Sequence, residues 1–337
     1  MVRSLQGARW RIEAEGGPDL DADIVVIATT HPSPQAPSAL ARALSGHPRY
    51  VADTTVPQAL SVIRPRDRVL IVGAGLTAAD VIASLDARGH IGPIAAVSRR
   101  GLRSCGHNLL PQDPFGDFSS VPSRSAVALL RRVRRTVAEA AAAGVTWHAV
   151  FDALRGQAGE IWRTLPVAER RRLVRFLRPY WDVHRFRIAP QVEAVIERQI
   201  AAGRLAFRAA AITGARTEND EIVVRPRHRH GRGETEERYD AVVITTGPGH
   251  GAILSSQPFL AALAAGGALC ADRVGLGLDV DEESRAVGAD GRPSPSLYIA
   301  GPLARGTFGE LMGLPQVAEH AVFVAGRVAG DVLAFGR

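Results

Sequence analysis

Lysine is absent from this 337-residue chain, so all 41 of its basic residues are arginine. That removes a P-loop lysine, a pyridoxal Schiff base and any lysine nucleophile in one step. Cysteine is scarce as well. Cys105 and Cys270 stand far apart and make neither a C-x-x-C pair nor a zinc set, as expected of a reduced, cytoplasmic protein. No run of about 18 apolar residues occurs, and the first residues lack the apolar core of a signal peptide, so no membrane association is expected. The net charge of +7 invites a nucleic-acid reading, but the arginines are dispersed among 34 acidic residues. Arg131-Arg132, Arg134-Arg135 and Arg170 to Arg172 fall on expected helices with apolar opposite faces, where they read as solvated surface. Aromatic interleaving and zinc-finger spacing are both lacking, so no nucleic-acid partner is expected. His228 and His230 alternate with arginine, which repels a cation, and no metal is expected there.

What the chain does contain is a βαβ opening. Val69 to Val72 reads as a buried strand, followed by Gly73-Ala74-Gly75-Leu76-Thr77-Ala78 and a helix from Leu76 to Ala87. Gly73 permits a tight turn and Gly75 a close backbone approach. Ala78 is small enough to let helix and strand pack tightly. The helix start turns unpaired N–H groups and a positive dipole end toward phosphate oxygens. A second apolar strand, Ile94 to Ser98, ends in Ser98-Arg99-Arg100, with Arg103 beyond. A carboxylate at that point would hold the ribose 2′-hydroxyl of NAD. Guanidiniums there suit the 2′-phosphate of NADP(H) instead.

Around this unit the pattern is α/β. Residues 8–14 and 22–28 read as strands, and a Pro-rich passage from Pro32 to Pro37 follows. Between Pro122 and Gly203 the periodicity turns helical: one helix ends at Gly144, a second runs from Pro166 to Pro179, and a third covers Gln191 to Ala202. Strands resume at Arg204–Phe207, Ala211–Thr213, Ile222–Val224 and Ala241–Thr245, with a polar hairpin tip over Arg225–Asp240. A helix near Phe259–Ala265, a strand at Leu297–Ala300 and a long helix from Pro315 to Phe335 complete the reading.

Several stretches resemble the two-dinucleotide-domain flavoproteins, and among them the bacterial FAD/NAD(P)-binding oxidoreductases of the YdhS-like group. Flavin-dependent N-hydroxylating monooxygenases and thioredoxin reductases are more distant relatives of that group. The resemblance is carried by Ile27 to Pro32, Gly73 to Asp80, Ser98 to Gly101, Tyr180 to Pro190, Thr245 to Gly247, and Leu297 to Glu310. It implies a Rossmann-like α/β fold in which an NADP(H) domain with a helical insertion interrupts an FAD domain. On that template residues 1–35 are a remnant of the FAD domain and 36–65 a linker. Residues 66–248 form the NADP(H) domain with its insertion at 122–203, and 249–337 return to the FAD domain. Thr29, Thr30, Gly247, Gly301, Pro302 and the Arg305-Gly306-Thr307 turn then join the cofactor-binding set. The family's opening G-x-G-x-x-G unit has no counterpart before Arg66, and the resemblance therefore implies an incomplete FAD domain: the chain is a fragment, its start lies further upstream, or a separate chain supplies the unit.

The implied activity is an FAD- and NADPH-dependent oxidoreductase acting on a small-molecule substrate, with monooxygenase chemistry as one form of it. The alternative is a non-catalytic NADP(H)-binding subunit, or a fragment that needs a partner chain. No catalytic side chain is assigned, because the cofactors carry such reactions. Trp181, His184, Arg185 and Arg187 have two readings. They form either an anionic-substrate cluster with a titratable imidazole or a packed helix-start cluster of salt bridges. Cys105 follows Arg99, Arg100 and Arg103, which predicts a lowered thiol pKa.

Overall fold

The computed structural model describes residues 2–4, 10–30, 34–229, 235–247 and 249–335. Strands β1 (Val2–Ser4), β2 (Trp10–Ile12), β3 (Leu20–Ala22) and β4 (Val25–Ile27) come first. Then follow α1 (Ser38–Ala43), β5 (Tyr50–Val51), β6 (Val69–Val72), α2 (Leu76–Ala87) and β7 (Ile94–Ser98). The helical stretch holds α3 (Ala126–Ala142), α4 (Trp147–Gly156), α5 (Ala158–Thr164), α6 (Val167–Arg172), α7 (Arg178–Arg185) and α8 (Pro190–Ala201). After it come β8 (Leu205–Glu218), β9 (Glu221–His228), β10 (Glu237–Tyr239) and β11 (Ala241–Ile244). The last elements are α9 (Pro258–Ala265), β12 (Arg285–Val287), β13 (Pro293–Ile299), α10 (Arg305–Phe308) and α11 (Leu314–Phe335). The chain divides into two compact units. Unit 1 is Met1–Pro32, Pro114–Arg175 and Gly249–Arg337, and unit 2 is Ser33–Asp113 and Phe176–Pro248.

Unit 2 is built on a seven-stranded sheet in the order β10-β9-β8-β7-β6-β11-β5. From β5 to the start of β8 the strands run parallel, while β9 and β10 turn back antiparallel. The alternation along Val69–Val72 explains why this sheet is covered on both faces. Val69 and Ile71 join Ala78, Val81, Ile82 and Leu85 of α2 and Ile196 of α8. Leu70 and Val72 face the other way, onto Leu40 and Leu44 beside Val242 and Ile244. Each such fully buried aliphatic side chain contributes about 1.5–3 kcal/mol relative to exposure. With both faces covered, a parallel strand reads as an unbroken apolar run and not as an alternation.

Three local expectations give way to tertiary context. Residues 36–65 are not a linker: β5 takes its place in the sheet, and Leu40 and Leu44 are wholly buried. The two strands expected at 204–207 and 211–213 are one 14-residue strand, β8, which pairs with β7 first and β9 afterwards. Pro179 does not close a helix: α6, a π-turn over Leu173–Leu177 and α7 run on without a break, and Pro179 lies just after the π-turn, the kind of irregularity that accommodates a missing N–H. The helical stretch is also divided at a different place from the expected insertion. Residues 114–175 pack with unit 1 and 176–203 with unit 2.

Unit 1 has a three-stranded meander, β1-β2-β3, and a separate sheet, β12-β13-β4, in which β4 and β13 are parallel. Its main core holds Ile27, Leu260, Leu263, Leu278, Leu297, Ile299 and Leu303. On the opposite face Tyr298 and Ala300 pack with Val324 of α11. Among the described residues nothing pairs with the second edge of β4, where Val26 is 41% exposed. The outer side of α11 is likewise apolar and bare, with Leu314, Val322, Val332 and Leu333 all exposed.

Candidate dinucleotide sites

In unit 2 the chain turns at the carboxyl end of β6, between β7 on one side and β11 on the other. An open α/β sheet makes its crevice at such a switch point. Gly73 has φ of 129°, a region that excludes side chains, and its N–H donates to the Val97 carbonyl at 2.9 Å. A Cβ at Gly73 would stand 2.5 Å from the Thr245 carbonyl oxygen and overlap its side-chain oxygen. The turn is therefore tight because β11 presses against it. Gly75 differs: it caps α2 with no side-chain partner, and a Cβ there would meet nothing within 4 Å. Gly75, Leu76 and Thr77 are exposed while Ala78 is buried in the core. The first-turn N–H groups of α2 thus face open space, with no acidic residue in that turn. Gly247, at the neighbouring end of β11, is exposed and open as well.

The arginines beyond β7 separate into two kinds. Arg103 is occupied: its guanidinium donates to Glu197 at 2.5 Å and lies over the Phe207 ring at 5.7 Å. That pair ties the turn to α8, while the other terminal nitrogen of Arg103 is buried without a hydrogen-bond partner among the described residues. Arg99 is exposed, and Arg100 lies over the Tyr180 ring at 5.2 Å. Among the described residues neither Arg99 nor Arg100 has a carboxylate partner. The Ser98 hydroxyl donates to the Leu102 carbonyl at 3.3 Å and shapes this turn.

In unit 1 the matching place is the carboxyl end of β4 and β13, where the Ala300 N–H donates to the Ile27 carbonyl at 2.8 Å. Thr30 is exposed, and the Thr29 side-chain oxygen is buried with no hydrogen-bond partner among the described residues. Such an orphan is costly unless a ligand meets it, and it fits a bound polar group. Other members of the expected set have neighbours within the protein. The Gly301 N–H donates to His320 Nδ1 at 2.9 Å, and Pro302 opens the short turn that follows. Because Nδ1 accepts, Nε2 carries the proton and donates to the Ser284 oxygen at 3.2 Å. Ser284 in turn donates to the Ile299 carbonyl at 2.6 Å. Burial pushes His320 down to about 4, so it stays neutral in this chain of bonds. Arg305 is buried, with Nε donating to the Gly309 carbonyl at 3.3 Å. A Cβ at Gly306 would stand 2.6 Å from the Asp272 Cβ, and Thr307 donates to the Val280 carbonyl at 2.8 Å. The Arg305–Thr307 turn is thus packed by its own neighbours.

No family model and no curated protein matches the sequence. Solved structures do match in shape. The chain aligns over 98% of its length with 70% of ornithine hydroxylase from Pseudomonas aeruginosa, at 17% identity and a TM-score of 0.62. L-lysine 6-monooxygenase from Pseudomonas syringae gives 20% identity and a TM-score of 0.60 over 98% of this chain and 68% of that one. A cadaverine monooxygenase from Erwinia amylovora, solved bound to FAD, gives 12% identity and a TM-score of 0.65, with 98% and 67% covered. The fold is that of the two-dinucleotide-domain flavoproteins.

Within that two-dinucleotide-domain fold the remaining sequence candidates fall on α7 and its surroundings. His184 Nδ1 donates to the Tyr180 carbonyl at 2.7 Å, Arg187 Nε donates to the His184 carbonyl at 2.9 Å, and Arg185 lies over Phe186. Trp181 is half-buried on the same helix. The string lies in the body and end of α7, not at a helix start. The Cys105 thiol is pushed up, against expectation, because burial outweighs the nearby Arg103 charge. His228 pairs with Glu237 at 3.3 Å. The expected positions at His31, Pro32, Pro248 and His230, and the start of the strand at 8–14, lie outside the described residues. Among the described residues no group of His, Cys, Asp and Glu is arranged to hold a metal, and no helix is long and apolar enough to cross a membrane.

Proposed function

We propose that this chain is an FAD- and NADPH-dependent oxidoreductase of the two-dinucleotide-domain class, with NADP(H) held on unit 2. The carrying observation is the open helix start at Gly75–Thr77 beside two arginines that have no carboxylate partner among the described residues. Gly73, Gly75, Leu76, Thr77 and Ala78 form the pyrophosphate turn, Gly247 borders it, and Arg99 and Arg100 receive the 2′-phosphate. Thr29 and Thr30 offer the flavin side its polar contacts at the end of β4. When bound, the two cofactors supply hydride transfer from nicotinamide to flavin and onward reduction of oxygen or an organic acceptor. The protein's share is to bind, orient and keep water away. The similarity in shape to ornithine, lysine and cadaverine hydroxylases favours monooxygenase chemistry on a small-molecule substrate, and the Tyr180–Pro190 string favours the YdhS-like group. Trp181, His184, Arg185 and Arg187 are its substrate-side candidates.

The open edge of β4 and the bare apolar side of α11 support a further part of this reading. A strand–glycine turn–helix unit, on a separate chain or on a longer form of this one, would pair with the first and cover the second. A second reading, a non-catalytic NADP(H)-binding subunit, is favoured by the Gly301 N–H being bound to His320 and the Gly306 space being filled by Asp272.

Fluorescence titration of the full chain with NADPH and NADH tests the proposal, followed by NADPH consumption with and without added FAD. Tighter NADPH binding and consumption that rises with FAD are expected. NADPH binding with no flavin uptake selects the second reading, and uptake of neither nucleotide ends both.

A further inference from the structure

We infer that Arg229, at the end of β9, is a further arm of the 2′-phosphate grip and shares the discrimination of NADP(H) from NAD(H) with Arg99 and Arg100. The inference rests on the dinucleotide reading of the Gly73 turn. It begins from strand register. Ser98, the last residue of β7, lies opposite Ala209 of β8. On the far side of β8 the Arg229 N–H donates to the Ala209 carbonyl at 2.8 Å. Arg229 is thus two strand spacings, about 10 Å, from the end of β7. The turn after β7 closes part of that gap. Its Gly101 N–H donates to the Ser98 carbonyl at 3.2 Å, and the chain folds back over β8. A Cβ at Gly101 would stand 3.1 Å from both the Cβ and the N of Ala209. The turn that carries Arg99-Arg100 thus packs against Ala209 on one side, and Arg229 is bonded to the same residue on the other.

The charges around this point are sorted unevenly. Arg208, Arg216 and Arg238 on the same β8–β9–β10 ribbon are each matched to a glutamate, at 3.1, 2.6 and 3.0 Å. Arg103 is matched to Glu197. Arg99, Arg100 and Arg229 have no carboxylate partner among the described residues; Arg225 and Arg227 of β9 have none either, but they lie opposite Gly214 and Ala211, farther from the end of β7. Guanidiniums gathered without a counter-charge repel one another, and a phosphate dianion with three acceptor oxygens relieves that repulsion by charge-assisted hydrogen bonds. Periodicity gives no hint of this, because Arg229 is 129 residues from Arg100 and reaches it only through the long strand β8.

The test uses the full chain and two small probes that differ only in the group concerned, adenosine 2′,5′-bisphosphate and adenosine 5′-monophosphate, in calorimetric titrations of the parent, Arg229→Ala and Arg229→Lys. The parent is expected to prefer the bisphosphate. Arg229→Ala loses about tenfold for the bisphosphate and leaves the monophosphate unchanged, a split that loss of fold does not produce. Arg229→Lys recovers part of the loss. If Arg229→Ala keeps the full preference while Arg99→Ala and Arg100→Ala lose it, the role of Arg229 is overturned and the dinucleotide reading stands. If the parent shows no preference, or takes up neither probe, the dinucleotide reading itself falls.

Discussion

The Gly73 turn and the Gly301 turn both follow a buried parallel strand, both place glycine at positive φ (129° and 78°), and both lead into a helical turn. In unit 2 the device stays open: Gly75 meets nothing and the start of α2 is exposed. In unit 1 the corresponding groups are consumed, the Gly301 N–H by His320 and the Gly306 space by Asp272. A strand–glycine–helix string specifies a chain path, and neighbours from distant sequence decide whether a ligand or a side chain fills it.

Substitutions at the two turns test that contrast, and the largest effect belongs to Gly73. Gly73→Ala adds a Cβ against backbone oxygen at a φ that L residues avoid. It should cost about 4 kcal/mol or prevent folding, as read by a thermal melt with circular dichroism. A melt indistinguishable from the parent's would show that β11 does not clamp the turn.

The next effect is pH-dependent and confined to unit 1. His320 titrates at about 4 in the native chain, against about 6.5 when unfolded. Between those values only the unfolded chain takes up the proton. The stabilisation is therefore complete above about pH 6.5, falls by about 1.4 kcal/mol per pH unit below it, and levels off below about pH 4. His320→Leu should flatten that fall, while costing about 1–3 kcal/mol at neutral pH through the orphaned Gly301 N–H. Urea melts at neutral and mildly acidic pH read both numbers, and an unchanged slope in the variant refutes the assignment.

The smallest effects make the comparison most direct. Gly306→Ala pushes on Asp272, which accepts N–H bonds from Val274 and Leu276 at 2.7 and 2.6 Å. A loss of about 2 kcal/mol in stability follows, with NADPH affinity unchanged. Gly75→Ala should do the reverse, leaving the melt within about 1 kcal/mol of the parent and weakening NADPH. Equal behaviour of the two variants would erase the distinction between an open and a filled turn.

Much of this was legible from local pattern. The bounds of β6, α2 and β7 follow from apolar runs and glycine stops, and the lack of an acid after β7 is plain in Ser98-Arg99-Arg100. Pro179 misled because a π-turn just before it lets the helical run continue, and sequence alone does not show that turn. The stretch 36–65 looked like a linker because β5 is two residues long and α1 six, too short for periodicity to register. Cys105 followed three arginines in sequence, but burial governs its thiol.

By itself the sequence determined the class of sheet, the position of the glycine turn and the exclusion of lysine, dithiol and P-loop chemistry, because those depend on residue type and short spacing. Only the tertiary structure decided which arginines have no carboxylate partner among the described residues, which glycines face open space, and that β8 brings Arg229 within two strand spacings of the end of β7. Those properties belong to pairs of residues brought together across dozens of positions, and no local pattern encodes the partner.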